Sequence, residues 1–200
     1  MILVALTGGM ATGKSHVGKI LESLGCHLIE ADALGHLALS PGGEAFAPVV
    51  AEFGTGILKS NGSSIDRKVL ASIVFTDPEK LHALNAIVHP AVARLQQGKV
   101  EAIQKRDPNA IIVVEAAIHI ETGGYKRYQK LILVICEEQE QVKRAMARDG
   151  ANREEVLARI AQQMPLSEKR KYADYVIDTS GTPEDTRRQT VGVYNSLRGL

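Results

Sequence analysis

Four residues near the amino terminus have the types and spacing to hold a phosphate chain. Gly8, Gly13, Lys14 and Ser15 satisfy G-x-x-x-x-G-K-[ST] within the run Thr7-Gly8-Gly9-Met10-Ala11-Thr12-Gly13-Lys14-Ser15. A phosphate chain needs donors from several directions, and a glycine-rich turn can aim successive backbone N–H groups inward. Gly8 and Gly13 have no Cβ, so the chain can approach the anion closely. Lys14 adds a mobile full charge for the outer phosphates, and the Ser15 hydroxyl is a hard oxygen ligand of the kind Mg2+ takes. Gly9, Met10, Ala11 and Thr12 complete the loop, and His16 follows as a further candidate to offer its backbone to phosphate.

Such a loop speaks for a nucleotide, not for a reaction. Phosphoryl transfer also needs a group that orients the acceptor, a metal, and cations for the charge on the transferred group. Asp32 suits the first role, as a carboxylate that takes the proton of an attacking hydroxyl or fixes it in line. The same position also suits a helix cap. Glu115 ends an apolar run and is placed to hold a metal-bound water or to be a paired carboxylate; Glu121 is a weaker candidate. Lys143, Arg144, Arg148 and Arg153 form a local basic group. Arg144 and Arg148, at i and i+4, share a helix face. A guanidinium pairs well with phosphate oxygens, although Glu140 is equally spaced to pair with Arg144. His89, before Pro90, is a candidate for substrate contact and equally for a structural cap. The six histidines show no metal-ligand spacing.

These side chains need elements to position them. Ile2 to Leu6 reads as a buried parallel strand running into the loop, and Val17, Ile20, Leu21 and Leu24 repeat at helical spacing after it. Further strands are expected at His27–Glu30, Ala110–Val114, Leu131–Cys136 and Tyr175–Ile177. The carboxyl ends of such strands face the ligand crevice, which places Asp32 on the phosphate-loop side. Residues 44 to 107 read as helical: Ala45 to Phe53 interrupted by Pro48, Arg67 to Phe75 capped by Asp66, a helix from Pro78 that His89-Pro90 ends, and another toward Arg106. Charged helices are expected over Glu138–Arg148 and Arg153–Met164, and a last one from Thr182-Pro183. Strands separated by helices argue for a parallel α/β sheet flanked by helices, with a helical insertion suited to substrate.

With 200 residues, the chain has the length of one ordinary domain. Its hydrophobic fraction of 44% and charged fraction of 24% are those of a soluble globular protein. A net charge of +1 implies no general attraction to nucleic acid or to an anionic membrane. No apolar run reaches membrane-spanning length, and the strand-like opening reads as no signal peptide. Cys26 and Cys136 are too few for a disulfide framework and sit by apolar runs, as buried free thiols do. Together these features fit a cytoplasmic protein, with oligomeric state left open.

Taken in order, these residues resemble the dephospho-CoA kinase family over nearly the whole chain. The resemblance runs from Ala5-Leu6-Thr7-Gly8-Gly9 and Thr12-Gly13-Lys14-Ser15 to Glu30-Ala31-Asp32. It continues through Asp66-Arg67 before Leu70 and Val74-Phe75, and Ile87-Val88-His89-Pro90. Lys143-Arg144 with Arg148-Asp149, Gln163, and Ala173-Asp174 ahead of Val176-Ile177 complete it. It implies a P-loop NTPase-type core with a five-stranded parallel sheet, covering 1–35, 108–137 and 172–200. A helical CoA-binding lobe over 36–107 and a helical lid over 138–171 go with it. The implied reaction moves the γ-phosphate of ATP, with Mg2+, to the ribose 3′-hydroxyl of dephospho-CoA. Carried over, Asp32 is the base, Lys14 and Ser15 serve phosphate and metal, and Arg144 reaches ATP from the lid with Arg148 beside it. Thr179 to Gly181 lies near the adenine, and Thr7, Arg67, His89 and Ile118 line the acceptor. Two positions depart from the family: Ala117-Ile118-His119 stands where Pro-Leu-Leu is frequent, and Thr179 replaces an Asn. Another P-loop nucleotide or small-molecule kinase is the nearest alternative. A GTPase switch is remote: Asp32-Ala33-Leu34-Gly35 matches D-x-x-G but comes too soon after the loop, and no N-K-x-D occurs.

Overall fold

Five apolar runs become five strands in one parallel sheet. They are β1 (Ile2–Gly8), β2 (His27–Glu30), β3 (Ile111–Glu115), β4 (Lys130–Ile135) and β5 (Tyr175–Asp178), in the order β2-β3-β1-β4-β5. The computed structural model describes residues 1–74 and 76–200. Phe75, expected to close a helix, lies outside the described residues. Backbone contacts divide the chain into two units, Met1–Glu30 with Ile103–Leu200, and Ala31–Ala102.

The first unit holds the sheet, with β1 central between β3 and β4. Side chains alternate across a strand, so one continuous apolar run supplies two faces. Val4 and Leu6 of β1 join Val113, Ile132, Val134 and Ile177 on one face. That face is covered by Val17 and Leu21 of α1 (Lys14–Ser23) and by Val193 and Leu197 of α9, the last helix (Pro183–Arg198). Ala5, Leu131 and Leu133 point the other way and pack with Ile120. The register brings the carboxyl ends of four strands to one edge: Leu6 pairs with Glu115, Glu30 with Glu115, and Gly8 with Val134. The unit also contains α6 (Glu138–Asp149), α7 (Arg153–Ala161) and α8 (Leu166–Lys169). Asn152 opens α7 through a reciprocal capping box with Glu155. This helix stops at Ala161, short of the expected Met164: Pro165 has no N–H for the Ala161 carbonyl and disfavours helical backbone at Met164.

The second unit packs α2 (Ala31–Ala38), α3 (Phe46–Phe53), α4 (Arg67–Val74) and most of α5 (Pro78–Arg106) around Ala38, Val49, Ile57, Leu70, Val74 and Ala91. Asp66 Oδ1 accepts from the N–H groups of Lys68 (3.0 Å) and Val69 (3.3 Å) at the start of α4, and Asp77 does the same for Glu79 and Lys80 in α5. Pro48 does not interrupt α3: it sits in the first turn, where a backbone N–H has no helical partner anyway. Nor does His89-Pro90 end a helix, since α5 runs through it for 29 residues. Pro90 removes the donor that the Ala86 carbonyl would have used, but Ala86, His89 and Pro90 all lie on the solvent side. The apolar stripe is unbroken, with Ile87 and Val88 before the proline and Ala91, Val92 and Leu95 after it. His89 is therefore an exposed mid-helix residue and no cap.

Candidate active site

The turn between β1 and α1 is built by close approach. A Cβ on Gly8 would lie 2.4 Å from the Val134 carbonyl oxygen and 2.7 Å from Thr12 Oγ1. The first of these is backbone inside the sheet and cannot yield. Gly13, the N-cap of α1, has φ of 90°, a left-handed conformation that side chains resist. Ala11 takes φ of 55° without being glycine. Such strain persists only where the surroundings hold it. Thr12, fully buried, ties its hydroxyl to Gly9 O at 3.0 Å. Lys14 Nζ donates to Gly9 O at 2.7 Å and Gly8 O at 3.3 Å, so the ammonium is carried over the loop's own backbone. The N–H groups of His16 and Val17 both go to Gly13 O, at 3.0 and 3.1 Å. The His16 N–H is thus engaged within the turn in this structure, and its side chain is exposed.

Ser15 and Glu115 come together although one hundred positions separate them, Ser15 Oγ donating to Glu115 Oε1 at 2.8 Å. Ser15 lies in the first turn of α1 and Glu115 ends the strand beside β1. Two hard oxygens at the strand edge fit Mg2+, which takes few protein ligands and keeps several waters.

Arg144 does not project free from α6. Its Nη1 donates to Thr179 Oγ1 (2.9 Å) and its Nη2 to Thr179 O (2.7 Å), with Glu140 3.6 Å from Nε. Thr179 is itself buried, and its hydroxyl donates to Thr12 O at 2.8 Å. A chain of hydrogen bonds therefore runs from Arg144 through Thr179 to the phosphate loop. Beyond it, Ser180 and the exposed Gly181 lead into α9. Arg148 is exposed and bidentate on Asp149, at 2.7 and 3.1 Å. That pairing holds the Asp149 carboxyl below its usual range, with Arg159 adding to it, and pushes the Arg148 guanidinium up.

Thr7 needs correction as an acceptor contact: it is fully buried, and its hydroxyl donates to Ala117 O at 3.2 Å. The same carbonyl accepts from Lys169 Nζ at 2.9 Å. Lys169 has no exposed surface at all and also meets Glu121 Oε1 at 2.7 Å. Ile118, the next residue in this segment, is 44% exposed, as a ligand-facing apolar side chain would be. In the second unit Asp32 is exposed in the first turn of α2, two residues past Glu30, and makes no side-chain hydrogen bond or ion pair among the described residues. It does not act as a helix cap, because the helix already starts at Ala31. Arg67 is the exposed first residue of α4.

A family model described as dephospho-CoA kinase matches residues 2–185. The chain belongs to the dephospho-CoA kinase family. It is 43% identical over 194 residues to the dephospho-CoA kinase of Geobacter metallireducens, covering 97% of this chain and 96% of that one. The crystal structure of TT1252 from Thermus thermophilus superposes with a TM-score of 0.83 at 36% identity, covering 98% and 97% of the two chains. The dephospho-CoA kinase from Campylobacter jejuni gives 0.64 at 28% identity, covering 98% and 96%. The structure adds two buried polar residues to those the sequence points to. Gln141 is 3% exposed and donates to Met10 O at 2.7 Å, while Lys169 anchors the segment after β3. Gln141 falls on the buried stripe of α6 with Val142 and Ala145, and a polar residue on an apolar stripe was the available signal. Nothing local marks Lys169.

Proposed function

We propose that this chain transfers the γ-phosphate of ATP to the ribose 3′-hydroxyl of dephospho-CoA, giving ADP and CoA, the last step of CoA biosynthesis. The observation that carries the reading is likeness to dephospho-CoA kinases along nearly the whole chain, with the phosphate loop intact. In it, the loop's inward N–H groups and the amino end of α1 bind the triphosphate. Lys14 moves its ammonium from the loop carbonyls to the outer phosphates. Ser15 and Glu115 would hold Mg2+, which supplies positive charge for the phosphoryl oxygens. Asp32 accepts the hydroxyl proton as the 3′-oxygen bonds to the γ-phosphorus and the bond to the β-phosphate oxygen breaks. Its exposed, uncommitted carboxylate supports that role.

Arg144, steadied by Thr179, presents its guanidinium toward the nucleotide, and Arg148 adds charge. The Thr179–Gly181 turn borders the adenine. Arg67, His89 and Ile118, all exposed, contact the acceptor. The reading makes the protein a cytoplasmic enzyme with a small-molecule substrate and neither nucleic acid nor membrane as partner. No helix among the described residues is long and apolar enough to cross a membrane. The test is incubation with ATP, Mg2+ and dephospho-CoA, followed by mass detection of CoA. Phosphorylation of a nucleoside monophosphate with no CoA formed would overturn it in favour of another small-molecule kinase.

A further inference from the structure

We infer that Gln141 and Gln163 are positioning residues for the phosphate loop, a two-sided clamp on Met10, and that Gly9 is glycine to admit the Gln141 amide. Gln141 Nε2 donates to Met10 O at 2.7 Å, and the Met10 N–H donates to Gln163 Oε1 at 2.8 Å. The two glutamines come from different segments, α6 and the connection from α7 to α8. A trans peptide is planar, so its C=O and N–H point opposite ways. Pinning Met10 O to one side therefore turns the Ala11 N–H to the other. Pinning the Met10 N–H turns Gly9 O away from Gln163, and that carbonyl receives Lys14 Nζ at 2.7 Å and Thr12 Oγ1 at 3.0 Å. The clamp thus orients two peptide units of the loop and the carbonyl on which the lysine rests.

A second observation agrees. Ala11, next in the chain, holds a left-handed φ of 55°, which an alanine keeps only under outside constraint. The clamp supplies that constraint. Gly9, in contrast, is not among the residues of positive φ, so its conformation does not demand glycine. Space does: a Cβ there would stand 2.8 Å from Gln141 Nε2 and 3.3 Å from Thr12 Cγ2. The amide is the end of a flexible side chain, but it could move away only by releasing Met10 O.

The inference rests on the loop being the ATP site, and the experiment separates the two. ATP affinity is measured by calorimetry without acceptor, and KM for ATP and for dephospho-CoA in turnover, for wild type, Gln141→Met, Gln163→Met, Gly9→Ala and the double variant Gly9→Ala with Gln141→Met. Each methionine matches the glutamine in length and removes one hydrogen bond. ATP binding is expected to weaken about fivefold in each, the equivalent of one ordinary hydrogen bond, with KM for dephospho-CoA unchanged. Gly9→Ala should weaken it similarly, and the double variant should be no worse than the weaker single, because both changes break the same contact. Wild-type ATP affinity in both glutamine variants overturns the clamp. So does an equal loss for both substrates, which is a general loss of structure. Additive effects in the double variant overturn the role given to Gly9. If Gln141→Met fails to fold, the half-buried Gln163 carries the test. A wild type that binds ATP but makes no CoA defeats the proposed reaction and leaves the clamp judged on ATP affinity. A wild type that binds no ATP defeats both.

Discussion

Replacing Lys169 with Met tests how the segment after β3 is held. The lysine has no exposed surface and makes two bonds, to Glu121 Oε1 at 2.7 Å and to Ala117 O at 2.9 Å. Breaking a buried ion pair from one side costs roughly 3–5 kcal/mol, because the other charge is left uncompensated. Glu121 keeps 24% of its side chain in solvent, so its carboxylate recovers part of its hydration and the lower end, about 3 kcal/mol, is expected. For a chain of this size that corresponds to a Tm lower by about 6–12 °C. A second substitution, Glu121→Leu, removes the stranded charge and should return most of the loss.

The assay follows from where the tyrosines lie. The chain has no Trp and five Tyr, at 125, 128, 172, 175 and 194, all in the first unit. Tyrosine fluorescence during urea unfolding therefore reports the unit that contains Lys169 and avoids treating two units as one transition. Kinetically, the loosened segment carries Ile118, so KM for dephospho-CoA should rise while KM for ATP holds. A tyrosine-detected loss well under about 1 kcal/mol would refute the reasoning, since that is the range of an exposed ion pair. A Lys169→Met, Glu121→Leu double variant as unstable as the single would refute it as well.

Three further outcomes are expected. Lys14→Ala should lower kcat/KM by roughly 10²–10³-fold, as losing one preorganised donor does, with little change in urea midpoint because the ammonium is only partly buried; near-normal turnover would remove the loop from catalysis. Asp32→Asn should keep ATP affinity and reduce kcat by roughly 10²–10⁴-fold; weakened ATP binding at unchanged kcat would deny it the proton. Burial pushes the Cys26 thiol up from 9.0 to about 11. The folded chain then keeps a proton that the unfolded chain loses above 9.0, so this contribution is whole below 9.0 and disappears as pH rises to about 11. The rise from 9.0 to about 11 corresponds to about 2–3 kcal/mol. Cys26→Ala should flatten the alkaline fall in urea midpoint, and an unchanged slope would acquit this thiol.

What could be read in advance was what the chain writes locally. The phosphate loop is a contiguous pattern, and its strand and helix declare themselves by apolar period on either side. The pairing of β1 with β3 was within reach because an acidic strand end belongs beside a metal-binding hydroxyl, and Ser15 does donate to Glu115. Pro90 misled because a proline reads as a break until one knows which side of the helix faces water. Arg144 reads as a phosphate contact or as a partner of Glu140, and nothing local marks its bonds to Thr179, 35 residues away.

Distance in sequence explains the remaining misses, and it also shows how the site is held. The loop has a strained alanine, a glycine that a methyl group cannot replace and a lysine resting on carbonyls. None of these is stable from local sequence alone. The loop that carries them is tied by side chains from beyond residue 130: Gln141 and Gln163 on Met10, and Thr179 on Thr12 O with Arg144 behind it. The segment holding these glutamines and Arg144 is the one whose charged helices look, in sequence, like a solvated arm. Its polar residues divide into two sets: exposed ion pairs such as Arg148 with Asp149, which contribute little to stability, and inward amides that shape the phosphate site. Substitutions in the second set should therefore appear in nucleotide affinity, and those in the first set should leave the urea midpoint nearly unchanged.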